Sequence, residues 1–420
     1  MSAASLTSSS YSPPFKVVSK YFITAIGSFV FLALVMLLHY DVLTGHHFQP
    51  KVLALNHVAA LGWISMIIFG AMFQLVPVVL EARLYSTRLA EAQYWIYTAG
   101  TAGLVYCFWE FETGWLLILS ASLLNLAVLI FAFNIYMTMK PVPRLNMTGR
   151  YLASGVIWLS VTALLGLLLS INLGSPFLSF DHLRWLNLHA HLGFAGWITF
   201  VVMGVSYKLI PMFTLSHDYP SRLESPVFWC MNAGLLGIML TGHTEKNIFF
   251  YASSLLIAAA VVLFLIQISL IFKHRVRRHL DTGIKYSAQA YLMMGLTMIL
   301  GLFVAFVDSE NIPNLTLAYG VMILFGYISL LISGQMYKIV PFLVWYDKYS
   351  SKVGKEPVPL LKEMINEKTA ELQLMILLVS SFGAVFSLIF RSETGALISF
   401  SLMFAGSLIF LFNMIYIFRK

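Results

Sequence analysis

The chain has 420 residues, of which 59% are hydrophobic and only 10% charged, a composition that excludes an ordinary soluble domain. Its net charge of +8 is spread over short segments between apolar runs, so it is not a nucleic-acid-binding patch and no nucleic-acid partner is expected. The two cysteines form no CxxC or CxxCH motif, which excludes covalent c-type haem and a paired-thiol zinc or redox site.

Residues 1–20 are Ser-rich, carry Pro13, Pro14, Lys16 and Lys20, and lack the apolar region and cleavage site of a signal peptide. They read as a short cytoplasmic tail, followed by a single membrane domain over 21–420. Twelve apolar runs in that domain are long enough to cross ~30 Å of hydrocarbon. They are 21–40, 52–80, 94–109, 115–137, 151–171, 185–213, 227–241, 248–272, 284–307, 315–342, 372–390 and 395–418. Cys107 and Cys230 fall inside such runs and read as buried thiols. Backbone groups in lipid bond within their own segment, so the expected fold is an all-α polytopic membrane protein. The charged 346–369 loop is expected to hold a surface helix at most.

One stretch recurs on the second, sixth and tenth runs. It reads LALNHVAALGWISMIIFGAMFQLVP to Pro77, NLHAHLGFAGWITFVVMGVSYKLIP to Pro211 and VMILFGYISLLISGQMYKIVP to Pro341. The copies are 134 and 130 residues apart. They align His57 with His191 and Val321, Gly62-Trp63 with Gly196-Trp197 and Gly326-Tyr327, and Gly70 with Gly204 and Gly334. Phe73, Tyr207 and Tyr337 follow, then Gln74, Lys208 and Lys338. The implied architecture is three pseudo-equivalent four-helix units, near 21–137, 151–272 and 284–418.

Twenty of the 26 Lys and Arg lie on the side of the two termini, and four (Lys51, Arg184, Lys246 and Arg391) lie opposite. Lys208 and Lys338 are within spans. That imbalance places both termini in the cytoplasm. His57 and His191 then sit in the outer part of the membrane, and the Gln74, Lys208 and Lys338 layer lies ~25 Å deeper, near the cytoplasmic face.

An intramembrane histidine is costly and usually faces an interior or a ligand. His57 and His191 read either as interior rings bonded to carbonyls or as axial ligands of b-type haem. His189 is ~200° round the helix from His191, so the two cannot both point at one centre. A third reading joins His57, His189 and His191 in a copper or zinc site, which imidazoles favour over magnesium or calcium. His182 is expected to precede its helix. His39, His46 and His47, His243 with Glu245, and Glu110 with Glu112 read as outer-loop polar groups. His217, His274 and His279 belong to the basic loops. Lys208 and Lys338 read as snorkelling cations or, with Gln74, as a polar inlet for protons. The repeated glycines admit close packing of helices or of a flat macrocycle. Trp63, Trp197 and the matching Tyr327 are expected to pack against whatever fills the pore.

These features resemble subunit I of the haem–copper oxidase superfamily. NLHAHLGFAGWITFVVMGVSYKLIP is most similar to the divergent branch near the cbb-type catalytic subunits and the nitric-oxide-response haem–copper membrane proteins. The resemblance implies a low-spin-haem ligand at His57 and a copper ligand at His191 or His189. The family's two haem ligands on the tenth span are missing, since Val321 fills the matching slot, and run 227–241 lacks the family's His-His copper pair. A binuclear centre and oxygen reduction are therefore not expected. The resemblance implies a b-type haem or metal protein of the bacterial inner membrane, serving electron transfer or nitric-oxide handling, or acting as an accessory respiratory subunit. Its partners would be the lipid bilayer, respiratory-chain subunits or a cytochrome donor. A cofactor-free scaffold or permease, and a copper or zinc carrier, are the alternatives.

Overall fold

The structure, a computed structural model, describes residues 11–44, 48–177, 181–242, 247–306 and 314–420. Among them the chain is helical throughout, with one isolated antiparallel bridge between Ser216 and Arg275. The long helices are α1 (Phe15–Leu38), α2 (Pro50–Leu80), α3 (Thr87–Glu110), α4 (Trp115–Met139), α5 (Met147–Gly174) and α6 (His182–Thr214). They continue with α7 (Glu224–Thr241), α8 (Ile248–Lys273), α9 (Thr282–Phe306), α10 (Leu315–Lys352), α11 (Glu367–Ile389) and α12 (Glu393–Arg419). Ten of them are long and apolar enough to cross a membrane. The other two, α3 and α7, occupy the third and seventh expected runs. α3 opens on a polar turn with Arg88 and Glu91, and α7 has only 18 residues including Glu224 and Asn232.

Side-chain caps set many of the starts. Ser86 accepts from Leu89 N–H at 3.2 Å, Asn146 from Gly149 N–H at 2.8 Å, and Asp181 from Leu183 N–H at 3.0 Å. Each supplies an oxygen to an N–H that has no partner within its own helix.

Several boundaries differ from the sequence reading. α1 begins at Phe15, so the expected tail is shorter; Pro13 and Pro14 stand just before its first turn, and Lys20, now on the helix, pairs with Glu91 of α3. α10 runs ten residues beyond 342, to Lys352. Its extension is tied down where Trp345 Nε1 donates to Pro359 O at 2.6 Å and Lys348 Nζ to Phe418 O at 2.9 Å. His182 falls in the first turn of α6, behind the Asp181 cap, rather than before the helix. His46, His47, His243 and Glu245 lie outside the described residues.

The chain divides into two compact units, Met1–Tyr21 with Ile68–Arg277, and Phe22–Ile67 with Arg278–Lys420. In the first, α3 packs on α4, α4 on α5, α5 on α6, and α7 on α8. In the second, α9 packs on α10, α10 on α11 and α12, and α11 on α12. The pairs α3/α4, α7/α8 and α11/α12 each set a glycine (Gly103, Gly237, Gly383) against a serine (Ser120, Ser253, Ser399) so closely that a Cβ would overlap the hydroxyl. Small residues at such contacts matter because lipid provides no hydrophobic drive between helices, and close packing must.

Candidate functional site

The recurring motif lies on α2, α6 and α10, and in all three the backbone changes register at the same place. Val58–Ser65, Leu192–Ile198 and Met322–Ser329 are π-helical, each beginning directly after the His57, His191 or Val321 slot. A π-turn widens the helix and loosens the i→i−4 ladder, so nearby carbonyls need other donors. Hydroxyls provide them: Thr199 Oγ1 donates to Phe194 O at 2.8 Å and Ser329 Oγ to Leu324 O at 2.7 Å, each five residues back. Ser65 holds the corresponding position in the first copy and is buried. The hydroxyl two residues after each Trp or Tyr was the sequence signal for this feature.

The histidines at the mouth of these stretches are held alike. His57 Nδ1 donates to Leu53 O at 2.7 Å, and His191 Nδ1 donates to Asn187 O at 2.8 Å. A carbonyl only accepts, so both neutral rings carry their proton on Nδ1 and their basic lone pair on Nε2. His189 turns elsewhere, donating from Nδ1 to Thr162 O of α5 at 3.0 Å with its ring against Gly166. Its divergence from His191 follows the ~200° helical spacing. His57 belongs to the second compact unit, and His189 and His191 to the first. Among the described residues no group of three or more His, Cys, Asp or Glu is placed to hold a metal ion.

Four of the repeated glycines, Gly62, Gly196, Gly204 and Gly334, face neighbouring helices closely. A Cβ on Gly62 would lie 3.1 Å from Ser28 Oγ of α1, on Gly196 2.9 Å from Trp158 Cβ, and on Gly204 2.6 Å from Tyr151 Cβ, the last two on α5. On Gly334 it would overlap Tyr286 Cβ of α9. Helix packing, rather than a macrocycle, occupies those faces. The tryptophans likewise meet protein rings. Trp63 stacks on Phe29 at 4.6 Å, lies edge-on to Phe410 at 5.8 Å and donates from Nε1 to Ser329 Oγ at 2.9 Å. Trp197 packs on Phe69 at 5.7 Å and Phe131 at 6.0 Å. Tyr327 is buried.

The deeper layer differs from copy to copy. Gln74 Nε2 donates to Ser12 Oγ at 3.0 Å, and Lys338 Nζ pairs with Asp281 Oδ2 at 2.6 Å. Lys208 borders a small apolar gap of about 10 Å³ with Leu75, Val79, Thr148, Leu152, Val205 and Leu209. The aromatics one residue earlier are seated on tyrosines the sequence reading did not single out. Phe73 meets Tyr21 at 5.7 Å, Tyr207 meets Tyr151 at 5.5 Å, and Tyr337 meets Tyr286 at 5.7 Å. Tyr21, Tyr151 and Tyr286 open the first helix of each expected unit, and that recurrence was visible in the sequence. Tyr151 OH donates to Glu224 O at 2.8 Å, and Tyr286 OH to Ala370 O and to Gln373 Oε1, both at 2.8 Å.

In the third copy these contacts extend into a buried polar chain. Tyr337 OH donates to Gln373 Oε1 at 2.6 Å and accepts from Asn413 Nδ2 at 2.7 Å, while Thr369 Oγ1 donates to Asn413 Oδ1 at 2.7 Å. Tyr337→Phe keeps the ring but leaves Asn413 Nδ2 without its acceptor and Gln373 Oε1 with Tyr286 OH alone, so it is expected to destabilise by about 1–3 kcal/mol. Thermal unfolding in detergent checks this. A loss no larger than that of an exposed Tyr136→Phe change would show that the chain adds nothing.

No protein-family model matches this chain. An uncharacterized protein of Aquifex aeolicus (strain VF5) is 25% identical to it over 335 residues, covering 78% of this chain and 81% of that protein. At that level the likeness identifies neither a family nor an activity.

Proposed function

We propose that the chain is a divergent membrane protein of the haem–copper oxidase subunit I type, built from three pseudo-equivalent four-helix units, with both termini in the cytoplasm of a bacterial cell. In this reading it binds one b-type haem through His57 and handles electrons or a diatomic gas such as nitric oxide, alone or beside respiratory subunits. The observation that carries it is the ring geometry: His57 Nδ1 is committed to Leu53 O at 2.7 Å, the arrangement that fixes a ligating imidazole's orientation and raises the basicity of Nε2. His191 repeats it at 2.8 Å, and the three aligned π-helical stretches support the pseudo-equivalence.

The side chains fit a single axial imidazole and not a binuclear centre. Val321, buried in the third copy, has no lone pair to offer, and α7 contains no histidine. A haem held by His57 alone would supply iron chemistry open to a diatomic gas. The chain's own part would be to hold the ring by its carbonyl bond.

Optical spectra of the purified protein, oxidised, reduced, and reduced with nitric oxide, test this reading. The expected result is a Soret band that shifts with nitric oxide and is lost in His57→Ala but kept in His191→Ala. A colourless, metal-free preparation would sink it. A second reading, a cofactor-free scaffold or permease, is favoured by the filling of the glycine and tryptophan faces with protein side chains. Copper or zinc carriage through His57, His189 and His191 is weaker, because His189 bonds to α5 while His191 bonds within α6.

A further inference from the structure

Two loops of the first unit are joined at the end of the apolar helix α8. That helix stops at Lys273, and the chain continues His274-Arg275-Val276-Arg277-Arg278, so residues 273–278 hold four permanent cations and no acid. A basic stretch beside a span needs only its topology to explain it. This one is also clamped. Ser216 of the α6–α7 loop forms the antiparallel bridge with Arg275, and Arg277 N–H donates to Thr214 O at 3.2 Å. Ser216 Oγ donates to Ile271 O at 2.9 Å and lies 2.7 Å from Thr214 Oγ1.

The pairing decides what the clasp presents. With Ser216 opposite Arg275 and Thr214 opposite Arg277, Leu215 stands opposite Val276. Thr214 and Ser216 are buried, whereas Leu215 is 42% and Val276 65% exposed. Two aliphatic side chains are thus held open among cations at the end of a span, and every residue of 273–279 is exposed. Among the described residues Lys273, Arg275 and Arg278 have no ion pair; Arg275 Nη1 donates to Phe272 O at 2.8 Å, which leaves it four further N–H donors. The acids nearest in the chain do not neutralise them. Asp218 and Glu224 have no ion pair among the described residues, and Asp281 is taken by Lys338 at 2.6 Å. Water offers no reason to present aliphatic groups between arginines. A bilayer interface does, because it admits apolar side chains to a shallow depth while the guanidiniums meet phosphate.

We propose that this clasp is a binding site for anionic phospholipid headgroups. Leu215 and Val276 enter the interface, and Lys273, Arg275 and Arg277 engage the phosphates. The bilayer around α8 supplies the occupant, and the clustered cations favour anionic over zwitterionic lipid. The site does not depend on a haem at His57.

The test is native mass spectrometry of the full chain in detergent with equal amounts of phosphatidylglycerol and phosphatidylcholine of matched chains. The wild type is expected to retain phosphatidylglycerol in preference. Lys273→Gln with Arg275→Gln lowers that preference about fivefold for each cation removed, the factor for one basic residue at an anionic surface. Lys273→Arg with Arg275→Lys keeps it and controls for folding, and Lys140→Gln with Arg144→Gln, two cations of another loop, leaves it unchanged. The aliphatic pair is read separately with an environment-sensitive fluorophore on Val276→Cys, Cys230 being replaced by alanine and Cys107 being buried. Its emission is expected further to the blue in nanodiscs containing phosphatidylglycerol than in phosphatidylcholine alone. No preference in the wild type, an equal loss from the Lys140 and Arg144 changes, or the same emission in both nanodiscs overturns the proposal. So does complete displacement of the lipid by millimolar inorganic phosphate, which would mark a simple anion site.

Discussion

Gly334→Ala is expected to lower the melting temperature of the detergent-solubilised protein sharply, while Gly27→Ala leaves it unchanged or slightly higher. A Cβ on Gly334 would overlap Tyr286 Cβ and lie 2.8 Å from Gly283 O, so a side-chain stem and a backbone carbonyl of α9 must both move. The stem has little freedom, because Tyr286 OH is anchored to Ala370 O and Gln373 Oε1, both at 2.8 Å, on α11. Separating α9 from α10 therefore strains the polar chain as well as the helix contact. Overpacking of this kind costs about 1–3 kcal/mol, and the orphaned hydrogen bonds bring the loss towards the upper end. At Gly27 a Cβ meets nothing within 4 Å, and alanine is the better helix former by about 1 kcal/mol. Gly204→Ala, with Tyr151 Cβ 2.6 Å from the new atom, is expected to fall between the two. Equal losses at Gly334 and Gly27 would mean that close approach of these helices does not hold the fold.

The features legible in the sequence were those written in local pattern. Apolar run length located the long helices, because a chain in lipid has no other way to satisfy its backbone. The aligned motif picked out α2, α6 and α10, and the ~200° separation of His189 from His191 goes with rings that bond to carbonyls of two different helices. The π-helical stretches were missed because a change of helical register leaves the apolar pattern almost intact; only the hydroxyls of Ser65, Thr199 and Ser329 mark it. The glycines were ambiguous for a different reason. A missing side chain says that something comes close, and Trp158, Tyr151 and Tyr286 had to be located before that something could be called a helix. The lysines show the limit most plainly. Lys208 and Lys338 sit in matching sequence contexts, yet the carboxylate that pairs with Lys338 is Asp281, more than fifty positions away in the chain.

Trp63→Ala is expected to be the most damaging single side-chain truncation in the second unit. Its ring is fully buried, stacked on Phe29 at 4.6 Å and edge-on to Phe410 at 5.8 Å, and these rings are large enough that no neighbour can close the gap. Removing it forfeits dispersion contacts that lipid cannot replace and leaves a cavity, at a cost on the order of 3–5 kcal/mol. A second loss is specific to the π-helical stretch of α10. Trp63 Nε1 donates to Ser329 Oγ at 2.9 Å while that hydroxyl donates to Leu324 O at 2.7 Å, so the indole orients the group that satisfies the loosened turn. Trp63→Phe keeps most of the ring and loses only the N–H, which is expected to cost about 1 kcal/mol. Ser329→Ala removes the other half of the same pair. The double variant Trp63→Phe with Ser329→Ala should therefore lose less than the sum of the two single changes, by about 0.5–1 kcal/mol. Chemical denaturation of the four proteins in one detergent measures the cycle. Strict additivity would separate the indole from the π-turn, and a Trp63→Ala loss no greater than that of Trp63→Phe would remove ring packing as the source of stability here.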